Sequence, residues 1–511
     1  MSTYQEPLDS SSLAETGVAT SRQARSEQIA QALAIISLYV LPALFCLHVA
    51  SVTDPDIWWH LRTGEWISQH HAVPRVDSYS SATIGKPWEA YSWLFELLNI
   101  HLFMRYGLGG IVAYTVGMVL AITVALHHLI KRLQQDFTIA IALALATCLT
   151  LGPLYSPRPW LFTILFFVIE LDILMHARKS GRLRELIWLP VLFALWANLH
   201  IQFINGLIVL ALALVDSLVP LKTTDSNMRI PVWPLAIASL ASLLATLANP
   251  YDWHIYQVAH DLATQSGALA SVSELQPLAF RTLPDYALLF LAFAAVAMLA
   301  RAQRFLVFET TLFLVTAISS FRSRRDLWAV VIVAGTILAS TIENRKTPRR
   351  LPAFVSLPLA AAAGIVLFVA SRVMHINNAE LNTRLSKDLP VGAVAVAKAR
   401  HYAGPVYNNY DWGGYLIWEL RLPVSIDGRA ALHGDDSLHR SQVNWRGEPG
   451  WATDPQLLSA NLVVAPVTAP LTQLLRYDPN FKLTYEDQLS ALFIPSKSKD
   501  ASLAETGLPV K

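Results

Sequence analysis

The sequence predicts a polytopic α-helical membrane protein with a small α/β domain near its C-terminal end. Of its 511 residues, 54% are hydrophobic and only 15% are charged, whereas a soluble domain carries about 25% charged residues. The apolar residues gather in segments of roughly 20, the length of helix that crosses a bilayer. After about residue 374 this pattern stops, and short strand-like and helix-like runs alternate instead.

Apolar windows between charged breaks predict about eleven membrane spans. The predicted spans are 29–52, 108–130, 137–154, 160–176, 186–199, 204–219, 232–249, 285–300, 305–321, 327–342 and 352–373. Clusters of Lys and Arg fall at alternate connections, from Arg22 and Arg25 before the first span to "NRKTPRR" after the tenth. Positive residues favour the cytoplasmic side, so the N-terminus is predicted inside, and the loop 250–284 and the C-terminal domain outside.

The same pattern predicts four regions along the chain. Residues 1–28 are polar and are expected to form a disordered cytoplasmic N-terminus. A multi-span membrane domain follows over 29–374, and its first outer loop is 53–90. Runs such as "GPVYN" and "NLVVAP" predict an extracytoplasmic α/β domain over 375–497, and residues 498–511 are expected to be a disordered tail.

The segment 186–219 is short for two membrane crossings. Its length corresponds to about 51 Å of helix, against roughly 60 Å for two full crossings. The turn between its two helices is therefore expected to lie below the outer surface, where Asn198, His200 and Gln202 would line a polar funnel and bind substrate. Tilted helices in a locally thin bilayer explain the shortness equally well.

The stretch "DPDIWWHLRTGEW" opens the first outer loop. Asp56 as a helix cap and the tryptophans as interfacial anchors explain part of it, but not Asp54 or His60. A carboxylate beside a low-dielectric surface can serve as a general base, and two carboxylates can bind a divalent cation through oxygen. Asp54, Asp56 and His60 are therefore the candidate catalytic residues, with His60 assisting by hydrogen bonding.

Four arginines lie on the predicted outer side, whereas Lys and Arg are usually enriched in the cytoplasmic loops of membrane proteins. Arg158 lies in "SPRPW", and Arg322, Arg324 and Arg325 lie in "FRSRRDLW". Guanidinium forks match the oxygens of a phosphate, so these residues are candidates for binding the phosphate of a lipid-linked donor. Contact with lipid headgroups by snorkelling is the alternative explanation.

Two further pairs of residues are candidates for substrate binding. Trp88 and Glu89 follow the pattern of an aromatic ring beside an acid, which suits a sugar, although interfacial anchoring explains the tryptophan equally well. Asp427 and Arg429 follow a predicted strand at its carboxyl end, where α/β sheets place ligands. An ion pair that fixes this loop is the structural alternative for the second pair.

Glu170 and Asp172 lie within a predicted span, in "FFVIELDIL". Acids inside a membrane are functional candidates, and a proton- or ion-coupled transporter would use them. However, the chain shows no second half that repeats the first and no pair of broken spans, which are typical of transporters. This weakens the interpretation as a transporter. A polytopic lipid or glycan transporter is kept as an alternative function because of the two acids.

Several stretches together resemble a known superfamily: "DPDIWWHLRTGEW", "SPRPWLFT", "WANLHIQFINGL" and "VYNNYDWGGYLIWELRLPVSIDGRAALHG". With them the chain resembles a group of bacterial polytopic membrane proteins that look like members of the GT-C glycosyltransferase superfamily. That superfamily includes protein mannosyltransferases, aminoarabinose transferases and oligosaccharyltransferases.

The resemblance implies an inverting glycosyltransferase of the bacterial cytoplasmic (inner) membrane. Such an enzyme takes a sugar from a polyprenyl-phosphate donor and transfers it to a glycan, lipid or protein acceptor in the envelope. An acid of the first outer loop serves as base, and the matching positions are Asp54 and Asp56. Some members need a divalent metal such as Mg²⁺ or Mn²⁺ and others do not; here Asp54 and Asp56 would be the ligands, and Glu274 is a weaker candidate.

The expected partners are thus the lipid-linked donor, the acceptor and membrane lipids, and no nucleic acid. A non-catalytic, glycan-binding component of an envelope polysaccharide assembly is a third possibility. In that case the α/β domain should fold and bind its ligand when it is isolated from the rest of the chain.

Overall fold

The computed structural model describes residues 10–49, 52–218, 229–264, 272–302, 306–344 and 356–497. Among these residues, an α-helix lies at each of the predicted span positions, and three further α-helices lie in the described parts of the connections. The helices of the membrane domain are α1 (Ser10–Val49), α2 (Ile57–His70), α3 (Trp93–Tyr106), α4 (Leu108–Leu133), α5 (Phe137–Thr150), α6 (Trp160–Ser180), α7 (Trp188–Leu199), α8 (Phe203–Leu218), α9 (Val232–Ala245), α10 (His254–Thr264), α11 (Leu283–Arg301), α12 (Val307–Arg322), α13 (Leu327–Thr341) and α14 (Ser356–Val373).

Four of the described helices are long and apolar enough to cross a membrane: Arg25–Val49 of α1, α4, α6 and α11. A fifth span is formed if α14 is counted together with the next helix, from which it is bent by 59°. The helices α5, α8 and α9 are apolar but shorter. The chain is therefore a helical membrane protein, and the count of eleven spans stays a prediction.

The structure describes a helix over part of the N-terminal region, and the expected disorder of residues 1–28 stays a prediction. Helix α1 already begins at Ser10, well before the predicted start of the first span at 29. Its first half, "SSSLAETGVATSRQARSEQI", is polar and combines serines with good helix formers such as Ala, Gln, Glu and Arg, so a polar helical segment precedes the apolar span. Residues 1–9 and 498–511, also expected to be disordered, lie outside the described part of the chain.

The C-terminal domain contains a four-stranded sheet in the order β1-β2-β4-β3. Its strands are β1 (Val406–Asn408), β2 (Leu462–Pro466), β3 (Phe481–Glu486) and β4 (Ser490–Pro495). Strands β1 and β2 are parallel, whereas β4 runs antiparallel to both β2 and β3. The mixed sheet agrees with the predicted small α/β domain.

Short helices surround this sheet. They are α15 (Asn378–Leu385), α16 (Val391–Ala399), α17 (Gly413–Leu420), α18 (Ala430–His433), α19 (Asp435–Trp445), α20 (Pro455–Ser459) and α21 (Pro470–Tyr477). Strand β2 and strand β4 are buried along nearly their whole length. They form the centre of the domain, and β1 leads directly toward the membrane domain.

Helix α17 packs on the outer loop through aromatic rings. The ring of Tyr415 meets Trp58 edge-on with 5.1 Å between centroids, and Trp418 meets Phe103 at 5.3 Å. Trp58 is only 2% exposed. It therefore lies inside the protein, between α2 and the C-terminal domain, rather than at the lipid interface where the sequence suggested it. A Cβ on Gly414 would collide with the carbonyl oxygen of Pro55, so glycine allows this close approach.

A buried ionic cluster also joins the loop to the domain. The guanidinium of Arg429 donates to Asp77 at 2.7 Å and to both oxygens of Asp427 at 2.8 and 2.7 Å. It also donates to Ser80 at 2.9 Å, and it lies over the Trp88 ring with 4.7 Å to the centroid. Backbone pairing between the outer loop and the C-terminal domain adds to this joint, with the Ser81 N–H to the Val424 carbonyl oxygen at 2.8 Å. The loop and the domain thus fold as one body.

Removing the cation from this cluster should destabilise the protein. Arg429→Met leaves Asp77 and Asp427 buried and uncompensated, and breaking a buried pair in this way costs about 3–5 kcal/mol. We expect a lower thermal unfolding midpoint, measured by tryptophan fluorescence on the full-length protein in detergent. The control is Arg476→Met, which breaks a partly exposed pair with Glu486 and should cost about 1 kcal/mol or less. Equal midpoints for the two variants would contradict the role given to Arg429.

The same cluster should make the joint sensitive to acid. Burial by itself would raise the pKa of Asp427, but Arg429 and His433 hold it well below the usual range. A carboxyl with a depressed folded-state pKa contributes stability above its unfolded value of about 3.9, and that contribution is lost as the pH falls through the folded pKa. Stability should therefore fall below about pH 4.

Asp427→Asn should be less stable than the wild type at pH 7 and should show a shallower loss of stability in acid. The measurement is the unfolding midpoint as a function of pH. Parallel pH profiles for the wild type and the variant would rule out Asp427 as the source of the acid sensitivity.

Candidate functional site

Five connecting segments meet where the membrane domain contacts the C-terminal domain. They are the loop after α1 (residues 52–56), the turn before α6 (155–159), the short turn Ser273–Leu275, the short turn Arg324–Asp326 and the domain loop 425–429. The sequence predicted all five for the outer side of the membrane. Because the five segments meet, they lie on the same side of the helical domain. Together they bring most of the charged candidate residues to one place.

Arg158 lies at the centre of this junction and is 8% exposed. Its Nε lies 2.7 Å from a carboxylate oxygen of Asp54, and its Nη1 pairs with Asp56. Burial alone would lower the pKa of Arg158, but the charges of Asp54 and Glu274 raise it instead. The guanidinium therefore stays protonated, and it holds the two acids of the "DPD" stretch together.

Glu274 connects this arginine to a second one. Its carboxylate lies 3.7 Å from Nη2 of Arg158 and 3.6 Å from Nη1 of Arg325. The ring of Trp160 lies near both guanidiniums, with 5.1 Å to the carbon of Arg158 and 5.6 Å to that of Arg325. The Glu274 contacts are longer than a charge-assisted hydrogen bond of about 2.7–2.9 Å, so the carboxylate bridges the two arginines loosely.

The C-terminal domain closes over the acids from the other side. A Cβ on Gly428 would overlap the carboxylate of Asp56, so only glycine fits at this position. The hydroxyl of Tyr410 donates to the Gly428 carbonyl at 3.1 Å and supports the loop. Burial and then the charge of Glu274 raise the pKa of Asp411, which follows in the chain. Asp411 is thus an additional acid with a greater tendency to hold a proton.

The turn that carries Arg325 joins the predicted funnel. Gln202 donates through Nε2 to Asp326 at 2.7 Å, whereas its Oε1 is buried without a partner among the described residues. The Nε of Arg325 is likewise buried and has no partner there. Of the neighbouring arginines, Arg324 is half-buried and Arg322 is exposed. The Oε1 of Gln202 and the Nε of Arg325 are both buried and keep unused hydrogen-bonding capacity among the described residues, which makes this position a candidate contact for a polar ligand.

The other funnel candidates are engaged within the protein. Asn198 accepts from the Trp93 indole N–H at 2.8 Å and donates to the Ala248 carbonyl at 2.7 Å. His200 is 1% exposed and hydrogen-bonds Thr163 at 2.8 Å. Both residues tie α7 to its neighbours, and the structure describes no hydrogen bond from either to the Arg158 cluster. Their role in substrate binding stays a prediction.

His60 lies one helical turn from Asp56 on α2, and its side chain faces elsewhere. Its Nδ1 lies 3.0 Å from Glu96, and both side chains are buried. Burial lowers the pKa of His60 and raises that of Glu96, so the surroundings disfavour the charged form of each. This hydrogen bond connects α2 to α3. The structure describes no hydrogen bond between the His60 side chain and Asp54 or Asp56. The catalytic role of His60 stays a prediction.

The remaining candidates lie in or near the Arg429 cluster. Trp88, Asp427 and Arg429 are buried and bound to one another or to the outer loop, as described above. This geometry favours the structural explanation for the Asp427–Arg429 pair. Glu89 is half-buried beside them, and burial raises its pKa.

The two acids of α6 lie apart from this junction. Asp172 binds Arg132 at 2.6 Å, at the edge of a cavity of about 480 Å³ that is also lined by Arg184 and Trp188. Glu170 is fully buried, and neither of its carboxylate oxygens has a hydrogen-bond partner among the described residues. The two residues thus have different surroundings and do not form one pathway with each other.

Sequence reasoning missed several residues of the site. Trp160 was not singled out, although it follows Arg158 in the quoted "SPRPW". Tyr410 and Asp411 lie in "NNYDWGG". Gly428 lies in "SIDGR", and its position between the charged residues Asp427 and Arg429 is the sequence feature that could have pointed to it. These local patterns show nothing about distance in the fold: Gly428 meets Asp56, which lies hundreds of residues earlier in the chain.

The predicted metal ligands do not fit a divalent cation in this arrangement. Asp54 and Asp56 both point at the guanidinium of Arg158. Within the described ranges, no three His, Cys, Asp or Glu residues are grouped so that they could hold a metal ion. The cation that the two acids contact is an arginine.

These features define a polytopic helical membrane protein with an acid–arginine site under a small mixed-sheet domain. No protein-family model matches the chain, and no curated protein sequence matches it. Among solved structures it is similar to the oligosaccharyltransferase of Archaeoglobus fulgidus, crystallised with an acceptor peptide containing the NVT sequon tethered by a disulfide bond. The TM-score is 0.52 at 12% identity, over 90% of this chain and 74% of that chain. At this identity the likeness concerns the fold alone.

Filling the space at Gly428 should disturb the site. Gly428→Ala forces the Asp56 carboxylate or the domain loop to move, and overpacking of this kind costs about 1–3 kcal/mol. We expect a lower unfolding midpoint and faster proteolysis of the C-terminal domain in the full-length protein. The control is Gly117→Ala, where a Cβ meets nothing within 4 Å and helix propensity favours alanine. A Gly428→Ala protein as stable as this control would show that the contact with Asp56 is not tight.

Proposed function

We propose that the protein is a GT-C-type inverting glycosyltransferase that takes a sugar from a polyprenyl-phosphate-linked donor and transfers it to an envelope acceptor. One observation carries this proposal: Asp54, Asp56, Arg158 and Arg325, which are far apart in the sequence, meet at one junction. A carboxylate base beside guanidiniums is what displacement of a sugar from a phosphate requires. The oligosaccharyltransferase-like fold supports the same class of reaction.

Asp54 is the proposed base. The side chains of both acids are nearly buried, 7% exposed for Asp54 and 12% for Asp56, and both pair with Arg158. The choice rests on Gly428, which covers the carboxylate of Asp56 and not that of Asp54. In the reaction the acceptor oxygen attacks the anomeric carbon, and its proton passes to the Asp54 carboxylate. The bond between that carbon and the phosphate oxygen breaks, and polyprenyl phosphate leaves with the bonding electrons. Attack opposite the leaving group inverts the anomeric centre.

Arg158 and Arg325 are proposed to bind the phosphate of the donor. Two N–H bonds on Nη2 of Arg158 face Glu274 at 3.7 Å, and the buried Nε of Arg325 has no partner among the described residues. A phosphate oxygen would meet these donors at charge-assisted distances, which Glu274 does not reach. The guanidiniums would then stabilise the charge that develops on the leaving phosphate. Arg322 and Arg324 of the same turn add positive charge at the entrance.

The C-terminal domain is proposed to form the acceptor side of the site. Its loop 425–429 and Tyr410 cover Asp56, so an acceptor reaching Asp54 has to pass along this domain. We infer that the N-terminus is cytoplasmic and that the junction lies on the outer face of a bacterial inner membrane. A glycan, a lipid or a protein are all acceptors compatible with this position.

Neutralising the acids should abolish transfer. Asn keeps the shape of Asp54 and Asp56 but accepts no proton, and loss of general base catalysis costs about 10²–10⁴-fold in rate. The measurement is the amount of envelope glycoconjugate, by mass spectrometry, in a deletion strain that expresses the wild type, Asp54→Asn, Asp56→Asn or both changes. We expect the largest single loss for Asp54→Asn and no detectable product for the double variant.

The matched control is Asp252→Asn, because Asp252 is an exposed acid in the loop 250–284, on the same predicted side. It should restore product to the wild-type amount. A double variant that is present in the membrane at the normal level and restores normal product would overturn the base assignment. A deletion strain whose glycoconjugates are unchanged would overturn the proposed function itself.

A further inference from the structure

The cation between the two acids of the first outer loop is part of the protein. Arg158 uses two edges of its guanidinium for Asp54 and Asp56, and its third nitrogen faces Glu274 at 3.7 Å. Three carboxylates from two distant segments thus surround one buried positive group. Without Arg158, they would be a cluster of negative charges with a strong demand for a cation.

A divalent ion cannot be added to this arrangement without moving Arg158. A metal bound by Asp54 and Asp56 would have to lie about 2.0–2.6 Å from their oxygens, on the side where the guanidinium now lies. The two positive groups would then be in direct contact in a buried site, where like charges repel strongly. Occupation by the metal and occupation by the guanidinium therefore exclude each other.

We propose that the guanidinium of Arg158 takes the place that a divalent cation would occupy, so that this site holds its donor phosphate without a metal ion. The proposal rests on the proposed function for the identity of the donor. The arginine would bridge the acids and the phosphate: Nε and Nη1 hold the carboxylates of Asp54 and Asp56, and Nη2 has only the more distant Glu274 at 3.7 Å. An arginine suits this bridging role because its five N–H donors lie in one rigid plane.

The test is binding of Mn²⁺ to the purified full-length protein, measured by electron paramagnetic resonance. The wild type should show no saturable binding at millimolar Mn²⁺. Asp54, Asp56 and Glu274 are not grouped closely enough to hold a metal ion while Arg158 lies among them. Arg158→Ala removes the competing cation and lets these side chains turn toward one ion, so it should gain one saturable site. That site should disappear again in Arg158→Ala combined with Asp56→Asn. This readout needs no sugar transfer, so its outcome is independent of the experiment on the proposed function.

Two controls keep the result interpretable. Arg325→Ala also removes a positive charge beside Glu274, but Arg158 still holds both aspartates, so no Mn²⁺ site should appear. If Arg158→Ala unfolds in the absence of metal, Mn²⁺ should raise its unfolding midpoint, because a ligand that binds only the folded state stabilises that state. Arg158→Lys keeps a single positive charge at the position and should gain no site.

Saturable Mn²⁺ binding by the wild type that is lost in the Asp54→Asn, Asp56→Asn variant would overturn the proposal. So would an Arg158→Ala protein that neither binds Mn²⁺ nor is stabilised by it. In the first case the acids bind a metal while Arg158 is present, and in the second the guanidinium does not occupy a cation position.

Discussion

A buried guanidinium has to be paired with acids, and the pairing of Arg158 brings together the loops that form the candidate site. Leaving such a charge unpaired away from water would cost several kcal/mol. Arg158 lies just before α6, so the loop after α1 must bring Asp54 and Asp56 to it, and the turn Ser273–Leu275 must bring Glu274. One electrostatic requirement thus holds together segments from different parts of the membrane domain and creates a buried, charged junction.

Arg429 follows the same rule with a different result. Each of its nitrogens has a close partner in Asp77, Ser80 or Asp427 at 2.7–2.9 Å, and the side chain is only 3% exposed, so little of it is left for a ligand. Arg158 has close partners on two edges and only a distant carboxylate on the third. The satisfied cluster behaves as a joint that fastens the C-terminal domain to the outer loop, and the incompletely satisfied one has the character of a binding site. The difference lies in geometry, because the same residue types occur in both.

The sequence predicted much of the fold and only part of the site. The helices lie where apolar segments were found, because a helix that crosses lipid needs a continuous apolar stretch, which is a local property. The charged candidates Asp54, Arg158 and Arg325 were placed on one side by the distribution of Lys and Arg, and they do meet. The individual partners were not predictable: the contact of Gly428 with Asp56 joins positions far apart in the chain, and Trp58 was expected beside lipid but is covered by Tyr415.

The sequence by itself determined that this is a helical membrane protein with a separate C-terminal sheet domain, because both follow from the spacing of apolar residues along short windows. Only the tertiary structure decided which charges are neighbours. It paired Asp427 and Arg429 into a buried joint with Asp77, and it turned Asp54 and Asp56 toward Arg158 rather than toward open space. The reason is that a salt bridge depends on distance in space, and the folding of loops sets that distance independently of the local sequence pattern.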